Sequence, residues 1–275
     1  MENVEIVRQG ARAGMRITRK FDESVIVQTV FLYENGERID IENDIDWKAS
    51  HVLLKTAFPL NVNTSKATFD IQFGNIERNT HKNTSWDEAK FEVCAHKYVD
   101  VCDGGFGVAL MNDCKYGHSI NGSDLSLTLL KSPSYPDKYC DRGRHTFTYS
   151  LYAHELERGN IGVLRQAYDL NNPMLVQAVE KGDGTLPASF SLVAVDAPNV
   201  FIEAMKKAED KNGYILRMYE GGNMQAKARI SFGLPVKKAY LTDLMENTIK
   251  EIPVANNACE LPFKGFEIQT LRIIV

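Results

Sequence analysis

The ten residues Arg38-Ile-Asp-Ile-Glu-Asn-Asp-Ile-Asp-Trp47 alternate apolar and acidic side chains. A strand points successive side chains to opposite faces, so a period of two describes a strand with one face buried and one wet. The same period predicts strands at Ser24–Tyr33, at Val52-Leu-Leu-Lys-Thr-Ala-Phe-Pro-Leu, at Ala67–Phe73 and at Phe91–Val99. It continues at Phe106–Asn112, Leu125–Leu130 and His145–Tyr152. Asn35-Gly36, Asp103-Gly-Gly and Lys211-Asn-Gly supply hairpin turns between these runs. One helix is predicted from Glu157 to Leu170, where Ile161, Val163, Leu164, Ala167 and Tyr168 recur at near-helical spacing and Asn171-Asn-Pro stops it.

Residues 181–188, Lys-Gly-Asp-Gly-Thr-Leu-Pro-Ala, read as a turn-rich linker. A second strand set follows, at Phe190–Val195, Val200–Ala208, Gly213–Tyr219, Gln225–Phe232, Lys237–Asp243 and Gly265–Ile274. The expected fold is therefore mainly β, with one short helix and two domains, residues 1–180 and 189–275. The 275 residues are long enough to bury both cores.

Scattered Lys and Arg under a net charge of −4 leave no footprint for nucleic acid. No apolar run reaches the ~18 residues of a membrane span. The five cysteines are odd in number and irregularly spaced, which fits reduced thiols and a cytoplasmic location better than a disulfide framework. Cys94, His96, Cys114 and His118 could be imagined as metal ligands, but they lack the tight spacing of zinc pairs, and Cys94 and His96 fit core positions on one strand face. Gly104-Gly-Phe-Gly107 opens no helix, so it suits a hairpin rather than a phosphate cradle. The acid pairs Asp44/Asp46, Asp87/Glu88 and Asp137/Asp141 are close enough in sequence to suggest a glycosidase dyad, yet acids on alternating strands usually form a wet face. Trp47, ending an alternating strand, is expected in the core, while Trp86 could stack on a sugar. The loop Ser132–His145 gathers two Pro, two Tyr, two Arg, two Asp and a His between strands, a composition that suits sugar hydroxyls and sugar faces.

Several motifs carry a resemblance. They are Leu53-Leu-Lys-x-Ala-Phe-Pro, Gln72-Phe-Gly-Asn-Ile-Glu-Arg78, Asn83-Thr-Ser-Trp-Asp, Phe91-Glu-Val-Cys-Ala-His-Lys, Gly107-Val-Ala-Leu-Met-Asn-Asp-Cys-Lys-Tyr-Gly and Gly143-Arg-His-x-Phe-Thr-Tyr-Ser-Leu-Tyr. Together they resemble the region that follows the catalytic domain in the family 38 glycoside hydrolases, the α-mannosidases. The resemblance implies a galactose-mutarotase-like supersandwich, entered part-way at Met1, followed by a C-terminal β-sandwich. It places the nucleophilic Asp and the zinc ligands in a catalytic domain that no segment here matches, so it assigns this chain no catalytic residue, metal or cofactor. It also implies that an Arg of this region reaches the sugar site in some members, and Arg142, Arg144 and His145 are the candidates to contact an α-mannoside. A stand-alone carbohydrate-binding module and a mutarotase-like epimerase, with His96 or His145 as base, are the alternatives. A sheet entered part-way leaves a bare edge, so a homodimer is expected.

Overall fold

The computed structural model describes residues 2–155, 159–180, 182–185 and 187–275. These form two compact units, Met1–Met174 and Leu175–Val275.

In the first unit a nine-stranded antiparallel sheet runs in the order β1 (Asn3–Gln9), β2 (Arg12–Phe21), β3 (Ser24–Tyr33), β4 (Arg38–Trp47), β13 (Gly143–His154), β10 (Gly107–Asn112), β9 (Tyr98–Cys102), β6 (Lys66–Ile71), β7 (Gly74–Asn79). A four-stranded sheet, β5 (Leu54–Pro59), β12 (Asp124–Leu130), β11 (Gly117–Asn121), β8 (Val93–Cys94), lies against it. Ile41, Ile45 and Trp47 of β4 enter the core with Phe69, Val99, Leu110, Leu125 and Leu127. The acids of β4 therefore occupy the outer face, as the alternation requires. Trp47 is buried and stacked on Phe21 at 5.7 Å.

The outer face is polar but ordered. Asp40, 3% exposed, accepts from Arg38 Nε at 2.8 Å, Ser150 Oγ at 2.6 Å and Tyr33 OH at 2.9 Å. A buried carboxylate is tolerated only when paired and hydrogen-bonded in this way. Arg38 also donates to Gln166 O at 3.0 Å, tying helix α2 (Gly159–Asn171) to β4. The start expected for this helix, Glu157, lies outside the described residues, as does Leu156. Val163, Leu164 and Ala167 are its buried side chains, and it runs against β9, β10 and β13.

Four expectations need correction. The run Phe91–Val99 is two strands, because the chain changes sheet inside it. Ala95 N donates to Tyr116 O beside the smaller sheet, and His96 N donates to Asp70 O in the larger one. Ala95 takes the core position at that crossing, so Cys94 is exposed and His96 only half-buried. Residues 3–21 form the hairpin β1–β2, which the pattern did not announce because β1 is wet on both faces and feels no pressure to alternate. Asn83-Thr-Ser-Trp-Asp adds a second, four-residue helix, α1 (Ser85–Glu88), capped by Thr84, whose Oγ1 accepts from Asp87 N.

The second unit stacks β14 (Val193–Val195), β17 (Ala226–Phe232) and β20 (Ala258–Phe263) on β15 (Val200–Lys207), β16 (Tyr214–Glu220), β21 (Ile268–Ile274), β18 (Lys238–Thr242) and β19 (Thr248–Ile252). Leu216, Met218, Ile230, Leu261 and Leu271 fill the space between. The Lys211-Asn-Gly turn holds, with positive φ at Lys211 and Gly213 and Ala208 N bonded to Gly213 O. Fully buried Glu220 accepts from Gly222 N, Met224 N, Phe266 N and Asn199 Nδ2, and so ties together the loops at one end of the sandwich.

Gly107 is fixed by close approach. A Cβ there would lie 2.5 Å from the His154 ring, and His154 Nε2 is 2.9 Å from Asp100 Oδ1 with both side chains buried. Burial disfavours the imidazolium, but the hydrogen bond and charge of Asp100 outweigh it and raise the His154 pKa. A raised pKa stabilises the fold below the unfolded value of ~6.5, and that stabilisation is lost as pH rises through the folded value. Gly107→Ala should therefore cost about 1–3 kcal/mol by overpacking. The deficit in urea melts should be larger at pH 6 than at pH 8.5, because the displaced ring loses its ionic partner.

Candidate functional site

The loop between β12 and β13 is held by its own polar groups. Asp141 has positive φ, and its Oδ2 accepts from Lys131 N at 2.9 Å and Ser132 N at 3.0 Å. Those backbone bonds lower the Asp141 pKa. Ser132 Oγ accepts from Trp47 Nε1, and Ser132 O accepts from His51 N at 2.8 Å. The loop is thereby pinned to the end of β4, with Tyr135 and Tyr139 exposed at its tip.

The three candidate residues leave this loop in different directions. Arg142 donates from Nε and Nη2 to Ser50 Oγ, at 3.1 and 2.9 Å, with its guanidinium 5.4 Å from the Tyr139 ring centre. Arg144 points to the outer face and makes a two-pronged pair with Asp44, at 2.8 and 2.6 Å. His145 falls on the opposite face of β13 and donates from Nε2 to Asp141 O at 2.8 Å. Arg142 and Arg144 are both exposed. The Arg144–Asp44 pair lowers the Asp44 pKa, chiefly through its hydrogen bonds. An ion pair so open to water adds little stability.

Asp44 also lines a groove of about 580 Å³ on the outer face, with Arg16, Thr18, Thr29, Glu42 and Thr148. This concave surface, which Val27 and Phe147 also line, has Arg144 at one side and presents hydroxyls, two carboxylates and guanidinium groups. Such groups recognise polyhydroxyl ligands by hydrogen bonding. The sequence showed the acids of β4 here, but the Arg and Thr come from β2, β3 and β13, which only strand pairing brings alongside.

The other candidates have structural partners. Asp46 pairs with Lys48 at 3.2 Å, and Asp87 accepts from Thr84, Lys90 and Asn79. Asp137 Oδ1 accepts from Tyr139 N. Asp103 Oδ1 accepts from Gly105 N and Phe106 N, so the glycine-rich run is the β9–β10 hairpin turn. His96 Nε2 faces Gln72 Nε2 at 3.2 Å. Cys94 and Cys114 are exposed while His118 is buried. Among the described residues no three His, Cys, Asp or Glu side chains gather as metal ligands would.

Comparison with known proteins fits this geometry. Residues 1–139 match the family described as glycosyl hydrolases family 38 C-terminal domain, and residues 199–271 match the family 38 C-terminal beta sandwich domain. The chain belongs to the C-terminal region of the family 38 glycosyl hydrolases. It is 37% identical to human alpha-mannosidase 2C1 over 97% of its own length, and 35% identical to alpha-mannosidase G of Dictyostelium discoideum over 90%. It spans about a quarter of those relatives, 26% and 23% respectively. An alpha-mannosidase from Enterococcus faecalis V583 has the same fold, with a TM-score of 0.81 at 18% identity over 98% of this chain and 35% of that one.

His118, which sequence reasoning set aside with the metal candidates, carries the clearest pH signature. Burial pushes its pKa down to about 4. The unfolded chain binds the proton more readily, so this neutral imidazole supports the fold above pH ~6.5, and the support is lost as pH falls towards 4. His118→Asn, which does not titrate, should flatten the loss of stability between pH 6.5 and 4 by up to about 3 kcal/mol in denaturant melts. An unchanged slope would mean that other groups govern acid unfolding.

Proposed function

We propose that this chain is the C-terminal β-region of an α-mannosidase and does not itself cleave glycosidic bonds. The observation that carries the proposal is full-length similarity to proteins named alpha-mannosidases, of which the chain spans only about a quarter. In this reading the remaining length supplies the nucleophile and the zinc, and terminal α-mannosides are hydrolysed with retention. Retaining hydrolysis needs a carboxylate nucleophile poised beside a second acid. Of the acids paired in the sequence, Asp44, Asp46, Asp87 and Asp141 are engaged with Arg144, Lys48, Lys90 and backbone N–H groups instead.

The chain's part is to support the catalytic region and to present Arg142 or Arg144 towards the mannoside, while His145, on the opposite face of β13, holds the loop through Asp141 O. A cytoplasmic location is part of the proposal, supported by five free cysteines among the described residues. No helix of the described residues is long and apolar enough to cross a membrane. The domain limits 1–180 and 189–275 belong to the same proposal.

A homodimer is also proposed. Strand β1 ends the larger sheet with one backbone edge unpaired, and Val4, Ile6, Met15 and Leu32 beside it are exposed. Such an edge favours pairing with a second copy.

Incubated with zinc and an aryl α-mannoside, the chain alone should show no turnover above buffer; turnover that tracks protein purity would overturn the reading. In the complete enzyme, Arg142→Ala or Arg144→Ala should lower kcat/KM at least ~10-fold, equivalent to about 1.4 kcal/mol. Wild-type kinetics in both variants would leave the loop a structural element. Light scattering at micromolar concentration should give the mass of two chains; a monomer mass unchanged on concentrating would remove the dimer.

A further inference from the structure

The smaller sheet closes on the larger one near their β7 and β8 edges, and two polar side chains enter the space between them from opposite layers. In β7, Arg78 pairs with Ala67 of β6, a core residue, so Arg78 also points inward. Its guanidinium sits 4.8 Å from the Phe69 ring centre. In β11, His118 pairs with core residue Leu127 and is itself fully buried. Both line one recess, together with Asn79, Asp87, Lys90 and Val93.

Each presents an atom that no group of the described residues satisfies. Arg78 Nη1 and His118 Nε2 are shielded from solvent and have no hydrogen-bond partner among the described residues. Their chemistry is complementary. His118 Nδ1 lies 3.2 Å from Tyr116 O, and a carbonyl only accepts, so Nδ1 carries the proton and Nε2 a lone pair. Nε2 therefore needs a donor, while Arg78 Nη1 needs an acceptor. A chloride or carboxylate cannot donate to Nε2, and a metal cation on Nε2 would face the guanidinium charge. An O–H group meets both demands. The Asp87 carboxylate does not fill the role, being held by Thr84, Lys90 and Asn79. The recess offers about 20 Å³ to the centre of a water-sized group, against the ~10–15 Å³ that a single water requires.

We propose that Arg78 and His118 form an inter-sheet site for one hydroxyl oxygen, which accepts from Arg78 Nη1 and donates to His118 Nε2. The hydroxyl comes from a resident water or from an alcohol group of a polyol that reaches into the recess. The site is independent of the α-mannosidase reading and uses none of its candidate residues.

High-resolution crystal structures of the chain, one grown without polyol and one soaked in methyl α-mannoside, test it directly. The expected result is one oxygen at about 2.7–3.2 Å from both nitrogens in the polyol-free crystal. If the soak leaves that oxygen in place, water is the source; if sugar density replaces it, the polyol is. No bridging oxygen in either crystal, or a protein atom closed onto Nε2, would overturn the proposal. Long-range proton–nitrogen correlation spectra at neutral pH give a second readout. They should show His118 protonated on Nδ1 alone, and a proton on Nε2 would also overturn it. Finally, Arg78→Met and His118→Phe should each lower Tm, and the double variant should lose less than the sum, because removing both groups leaves no orphan behind. Additive losses would mean that the two side chains share no ligand.

Discussion

Two sheets of unequal width must bury their apolar faces against each other, and the rest of the first unit follows from that constraint. Burial of Ile41, Ile45, Phe69, Leu125 and Leu127 supplies the main driving force, and it grows with the apolar area removed from water. Four strands cannot cover nine. The middle strands of the larger sheet are sealed, while β1–β3 at one end keep exposed apolar groups such as Ile6 and Leu32. At the opposite end the seam admits polar groups, and Arg78 and His118 line one recess there.

The outer face obeys a different rule, because it must stay ordered without an apolar layer over most of its area. It does so by pairing deeply placed charges. Asp40 is enclosed by Arg38, Tyr33 and Ser150, and Asp100 by His154. Removing one partner from such a set leaves an uncompensated charge, at a cost of several kcal/mol. Arg144 and Asp44 lie farther out and remain wet, so their pair is weak as a fastener but available to a ligand. The same strand thus changes from structural to available chemistry within four residues.

The family motifs gain physical content from this arrangement. In Gly107–Gly117, Gly107 admits the His154 ring, Asn112 Oδ1 accepts from Lys115 N, and Asp113 Oδ2 accepts from Thr148 N. In Phe91–Lys97 the chain crosses between sheets, so its residues answer to two hydrogen-bonding environments in turn. Asp70 holds that crossing, its backbone O taking His96 N and its Oδ2 taking Lys97 N.

Alternation in the sequence by itself determined β3 and β4 to the residue, the inward place of Trp47, and the hairpin turns at Asn35-Gly36, Asp103-Gly-Gly and Lys211-Asn-Gly. Each of these depends on neighbours close in the chain and on one face being dry. The motifs added the family, because they are specific over half the chain. Tertiary structure alone decided what depends on distant partners: the break at Ala95 and the divergence of Arg142, Arg144 and His145. The shared recess of Arg78 and His118 is of the same kind. Those residues are 40 positions apart on strands of different sheets. The period of two fixes which face each occupies, but only the packing of one sheet on the other decides what stands opposite.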